Sequence, residues 1–307
     1  MTIVKYRTLL FWFTGLLLAA AIVAVAYFGL PLGIDFTGGS LIQINYPSGR
    51  PAVTDIQAQV APLALGAVSV RESGDTAVVI RARTLSPEEH TAVLTALAAK
   101  ASMDSTSSPQ ATELSYTSVG PSLGSQFATK ALWALLAVGL AIALYVAFAF
   151  RKVSHPVPSW IYGVIVIAML IHDLIIPAGF YAVLAHYTGA SVDALFITAL
   201  LALLGYSVND TIVIFDRIRE HLATNEKTNT KEEFEQTIGK SISETLTRSI
   251  NTSLTVVLAL VALVFFGAAA TRGFAFVMLA GVIAGTYSSI LVAAPLLIPL
   301  ARWYVKK

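Results

Sequence analysis

The 307-residue chain has no cysteine and little charge. Without cysteine there are no disulfides, no c-type haem attachment, no iron–sulfur cluster and no thiolate zinc site. Charged residues make up 12% of the sequence, against roughly 25% in soluble domains. Lys and Arg number 20 and Asp and Glu 18, for a net charge of +2, so nothing suggests a broad basic face that would bind nucleic acid. The five histidines show no metal-ligand spacing. What dominates is apolar: 56% of residues are hydrophobic, and charge-free runs of about 20 residues recur, each long enough to cross a ~30 Å hydrocarbon core. These features describe a multi-pass α-helical membrane protein.

The first apolar run, 8–34, follows Lys5 and Arg7. Ala24-Val25-Ala26 imitates a signal-peptidase site, but a run of about 27 residues far exceeds the roughly 7 to 15 of a signal-peptide core. It reads as an uncleaved first span. Five more are expected at 131–150, 160–184, 194–215, 249–266 and 274–300, giving six transmembrane helices. Basic residues gather at the N-terminus (Lys5, Arg7), after the second span (Arg151, Lys152), between the fourth and fifth (Arg217, Arg219, Lys227, Lys231, Lys240) and at the C-terminus (Arg302, Lys306, Lys307). The positive-inside rule places these segments, and both termini, in the cytoplasm. The chain then divides into 1–34 (cytoplasmic N-terminus and first span), 35–128 (extracytoplasmic domain) and 129–307 (remaining spans, with a cytoplasmic loop at 216–247).

The insert at 35–128 has the composition of a soluble domain. Residues 41–46 alternate as a half-buried strand, Pro51 opens a helical stretch to about 63, and 68–72 is a second strand. The pattern then repeats: a turn at 73–75, a strand at 76–83, a helix capped by Ser86 with Pro87 at its first position and Glu89 at the capping-box position, a Ser/Thr-rich loop at 102–108, and a strand at 111–119. The order βαββαβ predicts an α+β ferredoxin-like domain.

An ionisable side chain near the bilayer centre costs about 2.5–3.5 kcal/mol on insertion scales, so each is a functional candidate. Asp173, Asp210 and Arg248 stand out. Asp210 on the fourth span and Arg248 at the start of the fifth fall in the same leaflet, where they can neutralise each other; Thr252 lies one turn beyond Arg248. A structural ion pair and a proton relay both fit that pairing. His172 precedes Asp173, which reads either as a satisfied structural carboxylate or as a protonation site, and Asn209 stands beside Asp210 to orient it. Gly281, Gly285 and Ser289 form a small-residue ridge for helix packing.

"GIDFTGG" at 33–39, "GYSVNDTIVIFDRIRE" at 205–220, the His172-Asp173 pair, "SETLTRSINTSLT" at 243–255 and "GVIAGTYSSI" at 281–290 resemble, in order, the SecF branch of the SecD/SecF family, itself related to the resistance-nodulation-division transporters. The resemblance implies a bacterial inner-membrane subunit, not an enzyme, that works with SecD and the SecYEG channel, with YajC and YidC as further associates. Its client would be unfolded exported polypeptide, its surroundings membrane lipid, and protons its coupling ion in place of any cofactor. It implies Asp210, Arg248 and Thr252 as proton-relay residues, supported by Asn209, Asp173 and His172. It further implies Asp35, Gly38 and Gly39 as an outer hinge motif, and Asp216 with Arg217 as a cytoplasmic motif.

Three other readings compete. An intramembrane aspartyl protease would need Asp173 and Asp210 about 3 Å apart, yet helix-rise counting separates them by roughly 10 Å along the membrane normal. A proton-coupled exporter of the wider transporter superfamily would need an outer region much larger than this insert. A purely structural subunit would tolerate loss of Asp210.

Overall fold

The computed structural model describes residues 2–47, 49–101, 111–151, 157–230 and 232–305. The loop expected at 102–108, and Lys152, Lys231, Lys306 and Lys307 of the basic clusters, lie outside the described residues. The chain runs α1 (Thr2–Lys5), α2 (Arg7–Phe28), α3 (Ile34–Thr37), β1 (Gly39–Asn45), α4 (Val53–Val60), β2 (Ser69–Ser73), β3 (Ala77–Ala82), α5 (Pro87–Ala101), β4 (Thr112–Val119), α6 (Pro121–Ala149), α7 (Ser159–Thr188), α8 (Ala194–Lys227), α9 (Phe234–Phe266), α10 (Ala269–Ser288) and α11 (Ala294–Val305). It separates into two units, Leu32–Ala131 and the combination of Met1–Pro31 with Leu132–Lys307.

In the smaller unit the strands form one antiparallel sheet in the order β2-β3-β1-β4. Alternation along β1 buries Ile42 and Ile44, which pair with Ile80 and Val78 of β3 and pack with Ile56 and Val60 of α4 and Val93 and Leu97 of α5. The capping box that opens α5 is closed in both directions: Ser86 N–H donates to Glu89 Oε2 at 2.9 Å and Glu89 N–H to Ser86 Oγ at 3.2 Å. The Arg83 guanidinium, followed by the Ser86 amide, holds the Glu89 carboxyl down from its ordinary 4.5 to about 2. A carboxyl depressed by folding stabilises the native state above its unfolded value and loses that contribution as pH falls through the folded one. The thermal midpoint of wild type should therefore exceed that of Glu89→Gln at pH 7, and the gap should shrink as pH drops from about 4.5 toward 2.

Among the described residues six helices are long and apolar enough to cross a membrane: α2, α6, α7, α8, α9 and the α10–α11 pair, which is joined by a π-helical turn at Ser289–Ala293. The protein is a multi-pass helical membrane protein. About half of α7, α8 and α10–α11 is buried, whereas α2, α6 and α9 turn most of their apolar surface outward; helices apolar all round belong at the centre of such a bundle.

The 216–247 segment is not a loop. α8 continues to Lys227 and α9 begins at Phe234, so both helices run on beyond their apolar parts. Ion pairs join apolar packing there: Ile218, Ile238 and Ile242 are buried in the core, while Arg217 reaches Glu220 and Glu244 (both 2.5 Å), His221 joins Glu244 at 3.0 Å, and Arg219 pairs with Asp216. Glu235 at the start of α9 binds Arg7 of α2 at 3.1 Å and also Arg302 of α11.

The small-residue ridge on α10 lies against α8. A Cβ on Gly281 would overlap the Leu203 side chain, and one on Gly285 would come 3.0 Å from the Ser207 Cβ. Gly281→Leu should force the helices apart at a cost of about 1–3 kcal/mol, read as a lowered thermal midpoint of the purified protein in detergent. On α7, Gly179 meets the Ala21 backbone of α2 in the same way. No sequence motif marked that contact.

Candidate functional site

Two buried carboxylates of the larger unit collect hydroxyl groups around them; α10 bonds one directly and reaches the other through Ser253. Asp210 of α8 is 4% exposed. It accepts one long hydrogen bond, 3.4 Å from Ser253 Oγ of α9, and Ser253 in turn accepts from Thr286 Oγ1 of α10 at 2.6 Å. Two further buried hydroxyls stand near it, Ser249 Oγ one turn back on α9 and Tyr206 OH one turn back on α8, and neither is within hydrogen-bond geometry of a partner among the described residues.

Arg248 is not paired with Asp210. Among the described residues no Lys, Arg or His nitrogen lies within 4.0 Å of this carboxylate; the Arg248 charge acts on it only from beyond that range. Helical phase explains this. Ser249 and Ser253, four residues apart, line the face of α9 turned to α8, which rotates Arg248 and Thr252 about 100° away from it. Both are exposed, and the Thr252 hydroxyl folds back onto the Arg248 carbonyl at 2.9 Å. Asn209 is likewise exposed, so its side chain does not orient Asp210 from within the bundle. The structure thus brings Ser253 to the aspartate, and leaves Arg248, Thr252 and Asn209 on the outside of the isolated chain.

Asp173 of α7, 2% exposed, is held far more firmly. His172 Nδ1 lies 2.7 Å from its Oδ1, while Oδ2 accepts from Ser288 Oγ of α10 at 3.0 Å and from Ser207 Oγ of α8. His172 Nε2 meets the Tyr287 hydroxyl at 2.9 Å. Since Ser207 is one turn from Asp210 on α8, the two acidic centres lie closer in depth than rise counting suggests. The reason is that α7 runs on to Thr188: counted from the ends where α7 and α8 connect, Asp173 lies 15 residues inside α7 and Asp210 16 residues inside α8, about 22 and 24 Å. The carboxylates nevertheless share no hydrogen bond, so no proton-sharing aspartyl dyad exists here.

In the smaller unit Asp35 sits half-buried on α3, and Gly38 and Gly39 follow with φ of 73° and 128°. A Cβ on Gly38 would lie 2.6 Å from the Pro121 Cα, and one on Gly39 would lie 2.7 Å from the Ala82 carbonyl oxygen. Close backbone approach, together with positive φ, accounts for the paired glycines. Asp216 and Arg217 belong to the ion-pair network at the far end of α8, and Ser289 binds Thr211 across the α8–α10 contact at 2.7 Å.

Sequence reasoning missed Ser253, Ser249, Ser207, Thr286, Tyr287 and Ser288. The signal was present in the four-residue spacing of Ser249 and Ser253, which puts two hydroxyls on one face. Among the described residues no three His, Cys, Asp or Glu side chains come together as a metal site.

Comparison with known proteins points one way. Residues 98–303 match the family described as "Protein export membrane protein SecD/SecF, C-terminal", and residues 24–46 match the "SecD/SecF GG Motif". The protein translocase subunit SecF of Thermobaculum terrenum is 36% identical over 302 residues, 96% of this chain and 92% of that one. The SecF of Anaerolinea thermophila is 36% identical over 300 residues, 97% of this chain and 93% of that one. A crystal structure of SecDF from Thermus thermophilus, described as a translocon-associated membrane protein, superimposes with a TM-score of 0.82 at 30% identity. It is matched over 98% of this chain, which spans only 39% of that one.

Proposed function

This chain belongs to the SecD/SecF family of protein-export membrane proteins, and on that premise we propose that it is a SecF-like subunit coupling proton influx to movement of its extracytoplasmic unit. Its partners are SecD and the SecYEG channel, with YajC and YidC as associates, and its client is an unfolded polypeptide leaving the channel. It resides in the bacterial inner membrane with both termini cytoplasmic. The βαββαβ order and the strand order β2-β3-β1-β4 support a ferredoxin-like extracytoplasmic domain. A transport role, as against a classical enzymatic one, fits the family name.

One observation carries the mechanism. Asp210 is buried among apolar helices without a counter-ion in reach, on one 3.4 Å hydrogen bond, near two hydroxyls that have no partner among the described residues. A carboxylate so placed keeps electrical neutrality by holding a proton, or by meeting a cation brought to it. Arg248 supplies that cation on the neighbouring face of α9, which SecD would cover. Alternation between the two states moves a proton across the site, while Ser249 and Tyr206 offer the carboxylate new hydrogen bonds as it changes state.

The test is reconstitution of the chain with SecD and SecYEG in vesicles. Export of a preprotein should rise when a proton gradient is imposed; export indifferent to the gradient would remove the coupling reading. Orientation is checked separately. In intact cells, a cysteine replacing Asp75 at the β2–β3 turn should react with an impermeant thiol reagent added outside, and one replacing Thr228 between α8 and α9 should not.

A further inference from the structure

We infer that His172 and Asp173 form a second proton-binding site in the membrane unit, joined to Asp210 through residues 286–289. This deepens the reading of Asp210 as a proton carrier and rests on it. Four consecutive residues, Thr286 to Ser288 at the end of α10 and Ser289 at the start of the π-helical turn, divide their hydrogen bonds between the two centres. Thr286 donates to Ser253, which donates to Asp210; Tyr287 meets His172; Ser288 donates to Asp173; Ser289 bonds Thr211, the neighbour of Asp210. A change of hydrogen bonding at either acid therefore pulls on the same turn of helix.

That turn is built to move. It runs directly into the π-helical turn Ser289–Ala293, and such turns in membrane helices concentrate at functional sites. On α7, Pro177 has no N–H to give the Asp173 carbonyl four residues back, so the helix ladder is also interrupted at this level. A purely structural polar cluster in an apolar bundle would gain nothing from two interrupted helices.

The chemistry of the pair is that of one exchangeable proton. With His172 neutral, Nδ1–H donates to Asp173 and Nε2 accepts from the Tyr287 hydroxyl, leaving one net negative charge. One proton added at Nε2 makes an imidazolium–carboxylate pair of zero net charge. Nε2–H then donates to the Tyr287 oxygen, and the tyrosine hydroxyl hydrogen turns elsewhere. The groups facing the pair are Tyr287 and Ser288 from α10, and Ser207 from α8 with Asp210 and Tyr206 on the adjoining turns; α2, packed on α7, carries no Asp, Glu, Lys, Arg or His between Thr8 and Phe28. Among the described residues no other charged side chain is hydrogen-bonded or ion-paired to this pair.

The experiment is ¹⁵N NMR of histidine side chains in the full chain assembled with SecD in lipid, titrated between about pH 5 and 9, with the His172 signal identified by its loss in His172→Gln. The signal should pass from neutral imidazole to imidazolium within that range. Asp210→Asn should move its midpoint by about one pH unit, a tenfold change in proton affinity, and Tyr287→Phe should abolish most of that movement. A His172 signal fixed in one state throughout, or a midpoint unmoved by Asp210→Asn, would overturn the inference. The wild-type titration needs no variant beyond the assignment, so a variant that fails to fold does not shield the proposal. Gradient-independent export with a titrating His172 would instead sink the coupling reading and leave this site standing.

Discussion

Asp210→Asn should reduce the ratio of export with a proton gradient to export without one to unity, while the protein still accumulates and still assembles with SecD. The substitution is nearly isosteric, and the asparagine carbonyl can still accept from Ser253 Oγ. What disappears is titration. Among the described residues no Lys, Arg or His nitrogen lies within 4.0 Å of the carboxylate, so neutralising it breaks no ion pair in this state, and the pairing it removes is the one with Arg248 that the proposed cycle itself invokes. A lost gradient response with intact assembly would thus isolate proton exchange. A full response retained by the variant would mean that Asp210 merely anchors Ser253 and, through it, Thr286 of α10.

The contrast between the two acids also shows what a sequence discloses. The six spans were legible because long apolar runs are strong signals, and the strands because alternation is: β1 to β4 fall within about two residues of where it places them, while the short helices α1 and α3 carried no such signal. The helix ends at 216–247 were not legible. Hydropathy ends a span where charge begins, but Arg217, Glu220, His221 and Glu244 hold the two helices together in their polar stretches. At the site, the sequence names the acids because charge in an apolar run is conspicuous. It does not name what touches them, since serine and threonine are cheap in membrane helices and carry little contrast. Whether Arg248 or its neighbour Ser249 meets Asp210 is decided by about 100° of helix rotation, which packing against α8 and α10 fixes and spacing alone does not.

The other large effect is expected at Gly38, and Gly74 of the same unit serves as a control for positive φ. Gly38 and Gly74 have φ of 73° and 64°, and Gly38, with ψ of 169°, lies outside the left-handed helical region in a conformation that is essentially restricted to glycine. A Cβ added at Gly74 meets nothing within 4 Å, whereas one at Gly38 would lie 2.6 Å from the Cα and 2.8 Å from the nitrogen of Pro121. Gly74→Ala should therefore cost only the left-handed penalty, roughly 1–2 kcal/mol. Gly38→Ala meets a conformational penalty of about 1–3 kcal/mol at that φ and ψ and adds a collision with backbone that no rotamer change relieves, worth about 1–3 kcal/mol more, for a total of roughly 2–6 kcal/mol. Against a domain stability of about 5–15 kcal/mol, that is enough to expose the smaller unit to protease. Limited proteolysis of the full chain in membranes should show cleavage within residues 32–131 for Gly38→Ala under conditions where wild type and Gly74→Ala survive. Equal survival of both variants would mean that the chain at Gly38 and Pro121 can part without loss, and that the glycine pair is kept for motion at this point and not for close packing.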